Sequence, residues 1–169
     1  MAARRLASAF AVLLALLSGC ASTDRETLRA TQGPTADQIH LARFLLGYGR
    51  EPTWEEDQAW KAEFERRLSA YVARNPELRT SPRLSELRVE RRVSVGMTRG
   101  EVTLLLEQPL AVRTDEAAMK AAAGTFWPEV AKRQPRELWV YPQGWHLFFD
   151  ADHVADITVT GRDSIESLR

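Results

Sequence analysis

Glu137-Leu138-Trp139-Val140-Tyr141-Pro142-Gln143-Gly144-Trp145-His146-Leu147-Phe148-Phe149-Asp150 is the stretch that decides the fold. Before it, apolar residues recur at helical spacings. From Glu137 they follow the two-residue rhythm of strands, and Val154–Val159 repeats that rhythm. Three antiparallel strands joined by two tight turns are expected. Pro142-Gln143-Gly144 sets the first register: a type I turn with Pro142 second and Gly144 left-handed in a bulge keeps the proline out of the ladder. Trp139, Tyr141, Trp145, Leu147 and Phe149 then share one face, and Leu138, Val140, His146 and Phe148 the other. A two-residue turn at Gln143-Gly144 would mix the sets, because a one-residue slip exchanges faces. Both faces are apolar, so each needs a cover: helices for one; a partner, the inserted segment or the N-terminal helices for the other.

Upstream, the helix starts are written as capping boxes. Thr35-x-x-Gln38 opens a short helix with Ile39, Ala42, Leu45 and Leu46 along one side, stopped by Gly47 and Gly49. Thr53-x-x-Glu56 opens a longer one from Trp54 to about Arg74, striped by Trp60, Phe64, Leu68, Tyr71 and Val72 and ended by Asn75-Pro76. Ser81-Pro82 starts a third, with Leu84 and Leu87. Thr98-x-x-Glu101 starts a fourth, with Val102, Leu105 and Leu106 on one face and Pro109 just past its end. Residues 115–136 form a helical insertion, broken by Gly124 and Trp127-Pro128. The expected class is α+β: N-terminal helices over 34–92, then a small domain over 93–169 with a helix packed on a three-stranded antiparallel sheet.

The first residues carry a different message. Arg4 and Arg5 precede an apolar run from Leu6 to Leu17, then Ser18, Gly19 and Cys20, the only cysteine. This is the three-part layout of a secretory leader, with a run too short to span a bilayer. Leu17-Ser18-Gly19-Cys20 resembles the bacterial lipobox. The resemblance implies cleavage after residue 19, diacylglycerol on the Cys20 thiol and acylation of the new amino terminus; the alternative is an ordinary secreted protein with a stray thiol. Ala21 instead of aspartate after Cys20 resembles the sorting pattern for the outer membrane, periplasmic side. Residues 20–33 read as a flexible tether between lipid and domain. Removing Arg4 and Arg5 from a chain balanced at 23 residues of each sign leaves a slightly acidic body, which argues against nucleic acid as a partner. With Cys20 acylated no disulfide can form, so packing alone must stabilise the fold.

Val93 to about Val159 resembles the SmpA/OmlA domain of BamE-like lipoproteins. The resemblance is carried by Val95-Gly96-Met97-Thr98, Glu101-Val102, Leu105, Leu106 and Pro109, then by Trp139-x-Tyr141, Leu147-x-Phe149-Asp150 and Ile157. It implies a non-catalytic accessory lipoprotein of outer-membrane protein assembly or envelope integrity. The same small fold resembles that of β-lactamase-inhibitor-like proteins, which leaves a module inhibiting a periplasmic enzyme as the alternative. The chain departs from the family in having Glu107-Gln108 where a glycine is usual before Pro109, and in the 115–136 insertion.

Chemistry-bearing residues are sparse. His40, His146 and His153 fall on different elements, and Ser85, Ser94 and Ser164 have no local motif, which argues against an envelope hydrolase. Asp150-x-Asp152-His153 with Asp156 is the nearest approach to a metal cluster; its bland reading is a polar turn, and no metal, cofactor or small-molecule substrate is expected. Arg88, Arg91, Arg92 and Arg99 suit lipid headgroups, an acidic partner or a solvated face. Phe148, His146, Leu138 and Val140 are the candidate partner-binding residues. They share the face for which burial under helices and exposure to another envelope protein are both open.

Overall fold

The computed structural model describes residues 26–161. The leader, Cys20 and Ala21 lie outside them, as does Ser164. Each capping box starts a helix. The Thr35 hydroxyl accepts from the Gln38 amide at 3.1 Å while the Gln38 side chain accepts from the Thr35 amide at 2.9 Å, opening α1 (Ala36–Tyr48). Thr53 and Glu56 open α2 (Trp54–Arg74) in the same way. Gly49, left-handed at φ 67°, caps α1, so Gly47 lies within the helix and does not stop it. The Ser81 hydroxyl accepts from the Arg83 amide at the start of α3 (Pro82–Ser85), which runs on through a π turn over Glu86–Glu90. Thr98 and Glu101 cap each other at the start of α4 (Arg99–Leu106). The insertion supplies α5 (Glu116–Ala123) and α6 (Trp127–Ala131).

The fold is α+β, but its main sheet has five antiparallel strands, not three. In the order β1-β7-β6-β5-β4 these are β1 (Thr27–Ala30), β7 (His153–Thr160), β6 (Trp145–Asp150), β5 (Glu137–Tyr141) and β4 (Ala111–Arg113). The two added edges correct the sequence reading. Thr27–Ala30, assigned to a tether, pairs in register from Thr27↔Thr160 to Ala30↔Ile157. Nothing in Thr-Leu-Arg-Ala announces a strand; β7 offers a row of unpaired backbone groups, and β1 satisfies them. The Arg29 guanidinium adds a bidentate clasp on Asp156, with contacts of 2.7–3.0 Å. A second, two-stranded sheet, β2 (Gln32–Thr35) with β3 (Arg92–Ser94), ties together the two ends of the 34–92 helical segment.

The register of the β5–β6 hairpin is the expected one: Tyr141 faces Trp145, Trp139 faces Leu147 and Leu138 faces Phe148. The turn type differs. Gln143 is left-handed (φ 61°, ψ 25°), which a type I turn forbids and the third position of a type II turn requires. Gly144 is left-handed as well (φ 74°), and a Cβ there would lie 2.1 Å from the Thr160 carbonyl oxygen. No other residue fits.

Each face of the sheet has its own core. Trp139, Tyr141, Leu147 and Phe149 pack with Val102 and Leu105 of α4, Ile39 of α1, and Phe64 and Leu68 of α2. The helices of 34–92 and the sheet of 93–169 therefore share one core across the boundary at residue 92. On the opposite face Leu138 and Phe148 pack with Met119, Ala122 and Ala123 of α5 and Val130 of α6. The insertion, not the N-terminal helices, covers this face, and the Thr158 hydroxyl donates to the Ala122 carbonyl at 3.0 Å across the junction.

Candidate functional site

The insertion is too short to cover the whole second face. The end of the face toward the β5–β6 turn stays open as a groove of about 770 Å³, running from Arg113 of β4 past Val140 and His146 to Thr160 and Gly161 at the end of β7. Leu45 and Leu46 of α1 form one wall, Ala118 and Ala121 of α5 the other, and Val140 and His146 lie in the floor. α1 is held in place by Arg43, whose guanidinium donates to the Leu106 carbonyl at 3.3 Å and to the Gln108 carbonyl, satisfying acceptors past the end of α4. Leu46 is 73% exposed, an unusual position for a large apolar side chain next to an apolar floor.

The four candidate partner-binding residues are thus divided. Phe148 is fully buried beneath α5 and α6, which removes it as a contact surface; Leu138, nearly buried in the same cluster, still borders the groove. Val140 and His146 are half-buried and line the groove. The His146 ring Nδ1 lies 3.3 Å from the Thr160 hydroxyl, and burial lowers its pKa from the usual histidine value. The groove walls were missed by sequence reasoning. The sequence reading puts Leu45 and Leu46 together on the core side of their helix; Leu45 is half-buried and Leu46 exposed, because the 100° step between them carries Leu46 past the margin of the buried stripe.

The residues carrying the family resemblance are structural. Gly96 (φ 90°) donates to the Val154 carbonyl at 2.8 Å; Met97 and Val102 are fully buried; the Trp139 and Phe149 rings pack with centroids 4.6 Å apart, tilted by 45°. Half-buried Pro109 turns the chain from α4 toward β4. The Tyr141 hydroxyl donates to the Glu107 carbonyl at 2.9 Å, and burial pushes its pKa up. Glu107 adopts φ 62°, ψ −160°, a region that is essentially glycine's own.

The basic run is mostly spent internally. Arg99 lies over the Phe149 ring at 4.9 Å, pairs with Glu137 and donates to the Ala151 carbonyl at 2.6 and 2.9 Å, clamping the β6–β7 turn. Arg91 stacks on Phe64 at 4.9 Å between Asp37 and Glu65, and Arg92 donates to the Gly33 carbonyl at 2.9 Å. Asp150 and His153 are opposed across the β6–β7 hairpin, with Ala151 left-handed between them, and Asp156 is held by Arg29. Among the described residues no group of three or more histidine, cysteine, aspartate or glutamate side chains is arranged to hold a metal ion. His40 stacks on Trp60 at 4.4 Å, and desolvation lowers its pKa.

Comparison with protein-family models, with curated proteins and with solved structures finds no match to this chain.

Proposed function

We propose that the chain is a lipoprotein, anchored through Cys20 to the periplasmic face of the outer membrane, that works as a non-catalytic binding or scaffold component. The open groove carries this reading. An apolar concavity between α1 and α5, with one charged side chain in its lining, is built to hold a protein surface and lacks the convergent polar groups of a catalytic pocket. The histidines support it: they lie on different elements, His40 stacked on Trp60, His146 beside Thr160, and His153 exposed at the start of β7. The lipobox-like Leu17-Ser18-Gly19-Cys20 supports the anchor, and two or more acyl chains suffice for stable attachment. The SmpA/OmlA resemblance supports a role in outer-membrane protein assembly or envelope integrity.

Affinity capture from detergent-solubilised membranes tests the reading, comparing wild type with Leu46→Asp, a change at an exposed site that spares the fold. Recovery of the same envelope proteins by wild type alone supports a groove-borne scaffold. Capture of a single periplasmic enzyme turns the reading toward an inhibitor. Equal capture by both chains removes the groove from the function, and a Cys20→Ser chain that still fractionates with the outer membrane removes the anchor.

A further inference from the structure

The groove opens onto a sheet edge. β4 is the last strand of its sheet, and the chain from Leu110 to Glu116 is exposed apart from half-buried Ala111. The register fixes where its side chains lie. Ala111 opposes Val140 and Arg113 opposes Leu138, so both belong to the groove face. Val112 opposes Trp139 and belongs to the other face, where it remains 44% exposed; Leu110, just before it, is 56% exposed. Apolar surface is therefore left open on both sides of one edge. The opposite edge is different: β1 is mostly half-buried, the insertion packs on it at Gly124, and Arg29 is spent on Asp156.

Arg113 supplies the polar signal. Among the described residues it is the only charged side chain lining the groove and joins no ion pair; its one hydrogen bond there is a 3.4 Å contact to the neighbouring Val112 carbonyl. A bare edge carries unpaired N–H and C=O groups that a helix or a compact apolar ligand cannot satisfy, whereas an added strand pairs with them and sets alternate side chains on each face. Two copies of this chain joined at the centre of β4 would bring two guanidinium groups to one face, with Asp115 and Glu116 lying beyond the end of the strand. We infer that the edge of β4 and the groove together take an extended, apolar segment of another protein, added beside β4 as a further strand with an acidic side chain on Arg113. This rests on the binding reading above and specifies its partner.

The test is selection of a displayed library of random octapeptides on the full chain in detergent. Enrichment of sequences alternating apolar and polar residues with one glutamate or aspartate is the expected result. For a selected peptide, Arg113→Gln weakens binding roughly tenfold, and changing the peptide's acid to its amide removes that difference. N-methylating the set of peptide amides that face β4 abolishes binding, while methylating the alternate set does not. Enrichment with a three-to-four-residue period, enrichment of basic peptides, indifference to N-methylation or no enrichment overturns the inference. Dimerisation of the free chain through β4 overturns it too. If membrane capture succeeds while the library yields no extended peptide, strand addition is wrong and the scaffold reading stands; if Leu46→Asp captures as well as wild type, the groove reading itself fails.

Discussion

Truncating Phe148 to alanine measures whether the insertion is part of the folded core. Its ring is fully buried against Met119, Ala122, Ala123, Val130 and Leu138. Transferring a phenylalanine side chain to the interior contributes about 2–3 kcal/mol, and the cavity left behind raises the cost of truncation to roughly 3–5 kcal/mol. The lower end applies here. This cluster is small, two of its members are alanines, and α5 is a single eight-residue helix that can settle into the space. A loss of about 3 kcal/mol follows, a urea midpoint lower by about 1.5 M at a slope of about 2 kcal/mol/M. Phe149→Ala, in the larger core beneath α2 and α4, loses about 4 kcal/mol. Hydrogen exchange separates the two: Phe148→Ala accelerates amides from Met119 to Val130 first, whereas Phe149→Ala accelerates α2 and α4 as well. A loss below 1 kcal/mol for Phe148→Ala, or identical exchange patterns in the two variants, refutes the two-core arrangement.

Arg29→Ala leaves Asp156 buried and without its partner, and should cost about 2–3 kcal/mol; a midpoint equal to wild type would mean that Thr27–Ala30 is a tether after all. Glu107→Gly should be more stable than Glu107→Ala by roughly 1–2 kcal/mol, since both lose the Arg67 pair and only glycine relieves the backbone at φ 62°; an alanine variant of equal stability contradicts this helix exit. Burial lowers the pKa of both His40 and His146, so the unfolded chain binds more protons below the ordinary histidine pKa of about 6.5. The stability this contributes is present above that pH and is lost as pH falls through it toward the folded values. The drop in urea midpoint between pH 7.5 and 5.5 should be smaller for His146→Gln than for wild type, and equal drops would show that His146 is not desolvated in the fold.

The chain's local signals were legible because they depend on neighbours in sequence. Thr35, Thr53 and Thr98 each close a capping box with the residue three positions on, and the alternation of Glu137–Phe149 with Pro142-Gln143-Gly144 sets a register that no distant contact had to decide. The turn type escaped because the left-handed backbone at Gln143 is not signalled by its side chain, whereas Gly144 packs too closely on the Thr160 carbonyl for any Cβ. The partner-binding candidates were half legible. Val140, His146, Leu138 and Phe148 do share a face, yet only the docking of α5 and α6 determines that Phe148 is sealed, that Leu138 is nearly buried at the groove's margin, and that Val140 and His146 line the groove. Sequence alone thus determined the α+β class, the helix starts, the hairpin and its two faces, all set by interactions a few residues apart. Tertiary structure decided the strand at Thr27–Ala30, the short edge at Ala111–Arg113 and which half of the second face stays open, because an edge strand's conformation is dictated by the backbone groups of its partner and not by its own side chains.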